Sequence, residues 1–377
     1  MSQEVKIKKI FLSNYRNHKR LKISIDKKIV LLFGSNGSGK TNILEAISLI
    51  SSKTGFRNVR LCSLPNNIQE LDTNNFGIHF HLSSQSETYN IGIGLEKKSG
   101  KFKKIFKFNG EKAKSGDFKN KVRVFWVLPT MINLFCGPAS DRRDFLDSMI
   151  SSFDEIYNKT LVSYIKFQKE RIRILKKFNL SKSNEQWLLS IEKKMSSLGV
   201  IICDSRRLFI EKLNEHSHKS KGQIPLIKTS LNGEIDKKLL SNPALEVEEC
   251  FLKKLKTNRQ IDMITGRTNF GINKTDLKVY DKKKLEYSEN CSTGEQKVLL
   301  LSILFLYVQI LKERKFYKII CLLDDIFSYL DKKFINIVLE ELVNLKIQTW
   351  ISNVNDEFID KESKYYQEIM FLNIEDI

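Results

Sequence analysis

The sequence has few of the features that mark secreted or membrane-embedded proteins. Its six cysteines lie far apart and form no Cys-x-x-Cys pair, which favours reduced thiols in the cytosol over disulfides or a zinc cluster. The longest apolar run, residues 298–310, is interrupted by Ser302 and Gln309 and is shorter than the roughly 18 residues of a membrane span. The first residues lack the apolar core of a signal peptide. We therefore expect a cytoplasmic protein without a membrane partner.

Acidic residues are scarce relative to basic ones. Lys and Arg total 64 and Asp and Glu total 44 among 377 residues, which leaves a formal net charge of +20 at pH 7. Such an excess is expected of a nucleic-acid-binding protein, although a lysine-rich composition gives any protein a positive surface.

The positive charge is densest in residues 97–123, here called the basic segment. Its basic residues are Lys97, Lys98, Lys101, Lys103, Lys104, Lys107, Lys112, Lys114, Lys119, Lys121 and Arg123. The segment suits contact with the DNA backbone, or it is a solvated strand edge that lysines protect against pairing. The interleaved Phe102, Phe106 and Phe108 suit base stacking or, alternatively, the buried face of a hairpin.

A phosphate-binding loop is the most informative feature that is present. It matches G-x-x-x-x-G-K-[ST] and consists of Gly34, Ser35, Asn36, Gly37, Ser38, Gly39, Lys40 and Thr41. The apolar residues 29–33 before it predict a buried strand, and the helix after it would point free N–H groups at an anion. In such a loop Lys40 reaches the β- and γ-phosphates of ATP, and the Thr41 hydroxyl binds Mg²⁺.

A second apolar stretch, residues 319–323, ends in the two carboxylates Asp324 and Asp325. A buried parallel strand has this composition, and α/β sheets bind ligands at the carboxyl ends of their strands. We expect Asp324 to hold Mg²⁺ and Asp325 to orient the attacking water. Taken alone, the pair is equally typical of a strand followed by a helix-capping aspartate, but the upstream phosphate-binding loop favours the nucleotide site.

A third segment, Ser292-Thr293-Gly294-Glu295-Gln296, precedes an apolar helix predicted over residues 297–311. Ser292 and Glu295 have the spacing of a capping box, so the segment is a good helix start in any case. The same geometry would let Ser292 and Gly294 receive a γ-phosphate at the helix N-terminus. Gln296 completes the S-x-G-x-Q pattern, and we count it with them as a nucleotide contact.

The pattern of apolar residues divides the chain into three parts. Residues 1–130 are strand-rich, with a β-hairpin predicted at Asn109-Gly110. Residues 131–277 are mainly helical and contain an antiparallel helix pair. Residues 278–377 alternate helices and strands. The predicted fold class is α/β: an ATPase head split between residues 1–130 and 278–377, with an inserted, mainly helical second lobe.

The order P-loop, S-x-G-x-Q, hydrophobic-Asp-Asp and Ser-x-Leu-Asp resembles the ABC/SMC-like ATPase heads. Within that group the chain resembles the RecF family. Residues 13–17 are similar to its opening strand and turn, residues 137–147 to its Gly-Pro-x-x-x-Arg-Arg-x-Phe-Leu-Asp signature, and residues 322–331 to its Walker B and D-loop. The chain departs from the family at residues 271–277, where a Gly-Pro-His-Arg-Asp-Asp-Leu type segment is usual, and at Ser352, where threonine is usual.

The resemblance implies an activity and partners. ATP and Mg²⁺ would join two copies into a homodimer, in which Ser292 and Gly294 of one copy contact the γ-phosphate held by Lys40 of the other. Arg16 would lie near the nucleotide. The dimer would clamp DNA at gaps or at junctions of single- and double-stranded DNA. Weak, DNA-stimulated hydrolysis, with Lys40, Asp325 and Ser292 as catalytic residues, would release it. The family further implies recombinase loading, replication restart and the SOS response, a RecR-like mediator as partner, and a nucleoid-associated location in the cytoplasm.

Two other classes of function stay open. One is an SMC-like head of another kind, nuclease-associated or anti-phage, although the sequence offers no acidic metal cluster beyond Asp324 and Asp325. The other is a DNA-binding module that binds ATP without significant turnover. A transporter ATPase is disfavoured, because the helical lobe is strongly basic and no membrane segment is evident.

Overall fold

The computed structural model describes residues 4–52, 54–57, 59, 63–65, 76–84, 87–98, 101–114, 122–176, 182–219, 223–314, 318–328 and 330–377. Two compact units are present. The first comprises Met1–Ile132, Gly222–Ile224 and Leu311–Ile377, and the second comprises Asn133–Lys221 and Pro225–Ile310.

Strands and helices are numbered in chain order. The strands are β1 (Lys6–Tyr15), β2 (His18–Ser24), β3 (Ile29–Phe33), β4 (Gly77–Ser84), β5 (Glu87–Lys98), β6 (Lys101–Phe108), β7 (Glu111–Ala113), β8 (Arg123–Val127), β9 (Ile227–Asn232), β10 (Asp276–Asp281), β11 (Glu286–Tyr287), β12 (Ile319–Asp324), β13 (Gln348–Ser352) and β14 (Ile369–Asn373). The helices are α1 (Lys40–Ser48), α2 (Ala139–Phe153), α3 (Glu155–Lys176), α4 (Lys182–Lys219), α5 (Glu234–Lys238), α6 (Ala244–Thr257), α7 (Arg259–Thr265), α8 (Thr293–Glu313) and α9 (Lys332–Leu345).

A five-stranded parallel sheet forms the centre of the first unit, in the order β14-β3-β13-β12-β8. Every residue of β12 is buried, which explains its continuous apolar run. Strand β13 separates β3 from β12, and parallel strands end at the same edge of a sheet. The phosphate-binding loop after β3 and the carboxylates after β12 are therefore brought to one edge, although they lie far apart in sequence.

A six-stranded antiparallel sheet, β2-β1-β4-β5-β6-β7, completes the first unit. The predicted hairpin at Asn109-Gly110 is confirmed: both residues have positive φ, 49° and 92°, and Phe108 pairs with Glu111. Phe106 is 8% exposed and Phe108 packs against the core, so these two rings form the buried face of the hairpin.

Part of the basic segment lies outside the described residues. This applies to Lys119 and Lys121 and to the side chains of Lys97, Lys98, Lys101 and Phe102.

The second unit is mainly helical, and its antiparallel helix pair is confirmed as α3 and α4. A buried ion network holds the pair together: the Arg171 guanidinium lies 3.0 Å from Glu192 of α4 and 2.7 Å from Asp262 of α7. All three side chains are fully buried. A three-stranded sheet, β11-β10-β9, packs against α4 through β9.

The Arg-Arg-x-Phe-Leu-Asp segment lies in α2. It binds residues 271–277, the segment that differs from the usual sequence of the family that the chain resembles. Arg142 donates to both carboxylate oxygens of Asp276 at 2.7 and 3.1 Å, and Arg143 donates to the carbonyl oxygen of Thr275 at 2.8 Å. Asp147 pairs with Arg206 of α4 at 2.7 Å. The segment therefore anchors α2 to β10 and α4, and Asp276 is the acidic partner that remains in residues 271–277.

The second unit also contains residues 278–310, which sequence patterns grouped with the ATPase head. Strand β10 pairs with β9, and the Tyr307 hydroxyl of α8 donates to the carbonyl oxygen of Met149 at 3.3 Å. These long-range contacts assign the segment to the second unit, and a local apolar pattern does not reveal them.

Helix α8 is long and apolar enough to cross a membrane by length and composition alone, and it is the one such helix among the described residues. However, 83% of its apolar window is buried inside the protein. A helix that is apolar on all sides and buried is the arrangement expected of a core helix.

Candidate nucleotide-binding site

The loop between β3 and α1 has a backbone that requires glycine. Gly34, Gly37 and Gly39 have φ values of 142°, 92° and 108°, which side-chain-bearing residues rarely adopt. A Cβ at Gly39 would also lie 2.5 Å from the Nε2 atom of His18. The three glycines thus allow the tight turn that opens α1.

Lys40 lies inside this loop and is 8% exposed. Its Nζ donates to the carbonyl oxygens of Gly34 and Ser35 at 2.8 and 2.7 Å. Burial lowers the pKa of Lys40, and the nearby carboxylates of Asp324 and Asp325 oppose that shift. The ammonium group is therefore held at the place where the loop would meet an anion.

The carboxylates after β12 meet the start of α1. Asp324 Oδ1 accepts hydrogen bonds from the Thr41 hydroxyl at 3.0 Å and from the Ser352 hydroxyl at 2.5 Å. Asp325 has a positive φ of 49°, its N–H donates to the Ser352 carbonyl oxygen at 3.1 Å, and its carboxylate accepts from Ser328. Ser352, at the end of β13, therefore holds the carboxylate of Asp324 and the backbone of Asp325.

These groups surround one cavity of about 280 Å³ in the first unit. Its lining includes Gly39, Lys40, Thr41, Asp324, Asp325 and Ser352. The predicted phosphate, magnesium and water-orienting residues are thus brought together. Among the described residues, no group of three or more His, Cys, Asp or Glu side chains could hold a metal ion. A cation here would therefore need phosphate and water oxygens besides Thr41 and Asp324, as Mg²⁺ usually does.

Arg16 is not among the residues that line the cavity; its guanidinium is held by Glu45, in the second turn of α1. Its Nε and Nη2 donate to the Glu45 carboxylate at 2.9 and 2.8 Å, and Nη1 donates to the Ser63 carbonyl oxygen at 2.9 Å. Glu45 is fully buried. Burial and the neighbouring Glu45 raise the pKa of Tyr15 well above its usual range.

Three residues to which the sequence assigned no role in nucleotide binding also lie at the loop or its cavity. Asn17 donates to the carbonyl oxygens of Gly37 and Ser38 at 3.3 and 3.1 Å. Arg57 lines the cavity, and Glu375 accepts from the N–H of Ser35 at 2.9 Å. No spacing pattern connects these residues to the loop, because the contacts depend on the folded chain.

The segment at Ser292 lies in the second unit and has the predicted capping box. The Ser292 N–H donates to Glu295 Oε2 at 2.9 Å, and the Glu295 N–H donates to Ser292 Oγ at 3.5 Å. The Gln296 amide donates to the Cys291 carbonyl oxygen at 2.9 Å, so this side chain supports the start of α8. Ser292 is exposed and Gly294 is half-buried.

Comparison with known proteins gives matches over nearly the whole chain. Residues 6–373 match the family described as RecF/RecN/SMC N terminal domain. The DNA replication and repair protein RecF of Mesorhizobium japonicum is 33% identical over 334 residues, which cover 88% of this chain and 86% of that protein. The protein of the same name from Rickettsia conorii is 31% identical over 354 residues, covering 93% and 94%.

A solved structure also matches this chain in fold over most of its length. The recombination mediator protein RecF with ATP, from the RecFOR pathway, matches with a TM-score of 0.78 and 25% identity, covering 96% of this chain and 95% of that one. The α/β fold with an ABC/SMC-like head, expected from the motifs, is thereby confirmed, as is the resemblance. The chain belongs to the RecF family.

Proposed function

We propose that this protein is an ATP-dependent DNA-binding protein of recombinational repair, with weak ATPase activity stimulated by DNA. The observation that carries the proposal is the hydrogen bond between Thr41 and Asp324, beside Lys40, in one cavity. The ATP complex of the RecF protein described above supports ATP as the nucleotide.

The cavity residues have separate roles in this proposal. The loop from Gly34 to Thr41 binds the phosphates through its N–H groups and the Lys40 ammonium. The donor set of Thr41 and Asp324 fits Mg²⁺, a hard cation that prefers oxygen ligands. When bound, Mg²⁺ supplies charge neutralisation on the phosphate oxygens. Asp325, held by Ser328 and Ser352, orients the attacking water.

The second copy completes the site in this proposal. Ser292 and Gly294 stand at the N-terminus of α8, where free N–H groups favour an anion, and Ser292 is exposed. Ser292 of one copy therefore contacts the γ-phosphate bound by the other, with Gln296 holding the helix start. ATP closes the homodimer on DNA, and the net charge of +20 favours this contact.

Membership of the RecF family supports a wider role in this proposal. The clamp acts at gaps and at junctions of single- and double-stranded DNA, slow hydrolysis releases it, and a RecR-like mediator joins it to promote recombinase loading. We extend the proposal to replication restart and the SOS response. The proposed location is the cytoplasm, in association with the nucleoid.

Two substitutions test the nucleotide cycle. Asp325→Asn should lose ATP turnover and keep or strengthen ATP-dependent DNA binding, whereas Lys40→Ala should lose both. Asp26→Asn and Lys332→Ala, on exposed positions of the first unit, serve as matched controls. Steady-state phosphate release and gapped-DNA binding with and without ATP are the measurements. Undiminished turnover in Asp325→Asn would contradict the assigned role, and a wild type without turnover would favour an ATP-binding DNA module.

The dimer is tested by size-exclusion chromatography with light scattering. The wild type should change from monomer to dimer with ATP, while Ser292→Arg should bind ATP and stay monomeric. Ser241→Arg, on another exposed serine of the second unit, is the control. A wild type that stays monomeric with ATP would remove the clamp and leave nucleotide binding intact.

A further inference from the structure

The solvent face of the six-stranded sheet carries one ordered row of side chains. Strand pairing aligns one residue from each strand, in the order Lys22, Phe11, His79, Gly92, Lys107 and Lys112. The neighbouring residues along the strands, such as Ile10, Phe80 and Ile91, are buried. Since side chains alternate between the two faces, the aligned row lies on the face opposite the core. At about 4.8 Å per strand, it spans roughly 24 Å.

The centre of this row is aromatic. The rings of Phe11 and His79 lie 5.8 Å apart at an angle of 55°, and Lys22 Nζ lies 5.7 Å from the Phe11 centroid. His79 is exposed and Phe11 is half-buried. Gly92 follows in the row and has no side chain, which leaves space between His79 and Lys107. Two neighbouring rings thus lie on this face beside a position without a side chain.

The surroundings of the row are basic. Lys9 and Arg20 flank Phe11 and Lys22 on the same face, and both are exposed. Among the described strand residues of this face, Glu96 is the one acidic side chain, 4.0 Å from Lys112. A face with this charge balance is complementary to a polyanion.

We propose that this face is a binding platform for single-stranded nucleic acid, with bases stacked on Phe11 and His79 and phosphates bound by Lys22, Lys107 and Lys112. Flat rings between basic side chains are how proteins bind single strands without sequence preference. A duplex offers only phosphates here, because its bases are already stacked on one another. The platform rests on the proposed DNA binding only for the choice of DNA as probe, since it lies wholly in the first unit and needs neither ATP nor a second copy.

Base stacking is tested with two fluorescein-labelled oligonucleotides of equal length, oligo-dT and its fully abasic counterpart, by anisotropy without nucleotide. The wild type should prefer oligo-dT. Phe11→Thr should weaken oligo-dT binding roughly tenfold and leave the abasic strand unchanged, and Phe11→Trp should restore the preference. Phe371→Thr, on a half-buried phenylalanine of β14, is the matched control. A wild type without preference, or equal losses on both strands in Phe11→Thr, would overturn the platform.

The phosphate contacts are tested with Lys107→Gln/Lys112→Gln. This variant should weaken both strands equally and reduce the salt dependence of binding by about one to two ion contacts. Lys332→Gln/Lys361→Gln, on exposed lysines of the same unit, is the control. An unchanged salt dependence would overturn the assignment, as would a loss of binding confined to one of the two strands.

The two proposals fail separately. Lys40→Ala should bind oligo-dT like the wild type without nucleotide, even though it loses the response to ATP. If the wild type forms the ATP-driven dimer but Phe11→Thr keeps the preference for oligo-dT, only the platform is overturned. A lost stacking preference in Phe11→Thr together with an ATP-insensitive wild type supports the platform and removes the clamp.

Discussion

Arg206→Met should destabilise the second unit far more than the same change at the next residue. Arg206 is 1% exposed. It donates to both carboxylate oxygens of Asp147 at 2.8 and 2.7 Å and to the Ile272 carbonyl oxygen at 2.9 Å. Burial opposes its charge, but the hydrogen bonds and charge of Asp147 outweigh burial and hold the pKa of Arg206 above its usual range.

The expected loss in the free energy of unfolding depends on the buried polar groups that lose Arg206 as a partner. The Asp147 carboxylate would keep the Tyr157 hydroxyl, 2.5 Å away, but would lose its cation. Breaking a buried ion pair from one side costs about 3–5 kcal/mol. The Ile272 carbonyl would lose this donor, at about 1–3 kcal/mol. Because these two costs overlap, we expect the total to be at least about 3 kcal/mol and smaller than their sum.

Arg207→Met is the matched control. Its side chain is 29% exposed and pairs with Asp204 and Glu211, so its loss should cost less than about 1 kcal/mol. Urea unfolding gives the free energies, and hydrogen exchange in α2 and α4 assigns them to the second unit. Asp147→Leu/Arg206→Met should recover much of the loss. Equal costs for Arg206→Met and Arg207→Met would show that the buried ion pair does not stabilise the second unit.

Three further predictions concern the first unit. Burial lowers the pKa of Lys104 to about 7 from 10.5. Between these pH values the unfolded chain binds more protons than the folded chain, so the free-energy cost of burying the Lys104 ammonium falls as the pH rises through this range. Lys104→Met should therefore stabilise most below pH 7 and least near pH 10 in urea titrations; a difference independent of pH would contradict this. Gly39→Ala, which places a Cβ 2.5 Å from His18 Nε2, should abolish binding of a fluorescent ATP analogue without unfolding the protein, whereas retained binding would contradict the required turn. Gln348→Leu removes side-chain bonds to the N–H and carbonyl of Ile7, at 2.7 and 3.0 Å, and should cost about 2–4 kcal/mol with faster exchange of the Ile7 amide; unchanged exchange would argue against it.

The arrangement of the candidate nucleotide site could be predicted because its sequence signals are local. The phosphate-binding motif is formed by the consecutive residues 34–41, and the buried strand before Asp324 is a continuous apolar run. The parallel sheet then makes convergence a consequence of topology, since strand ends share one edge. The hairpin turn at Asn109-Gly110 could also be predicted from the sequence, because its two residues favour positive φ.

Other features depend on contacts between distant residues. Glu375 at the phosphate-binding loop and Gln348 at Ile7 belong to segments more than 300 residues away from their partners. The row across the six-stranded sheet exists only once the strand register is fixed. The helix at residues 293–313 has an apolar pattern that favours burial but does not say against which unit.

The most direct test of the central claim is the magnesium dependence of ATP binding. In the proposed site, Thr41 and Asp324 hold one Mg²⁺–ATP together with Lys40. Isothermal titration with ATP, in Mg²⁺ and in EDTA, should show tighter binding with Mg²⁺ for the wild type. Asp324→Asn should lose that dependence and retain the binding seen in EDTA. An Asp324→Asn protein with the magnesium dependence of the wild type would contradict the assignment of Asp324 to the magnesium site.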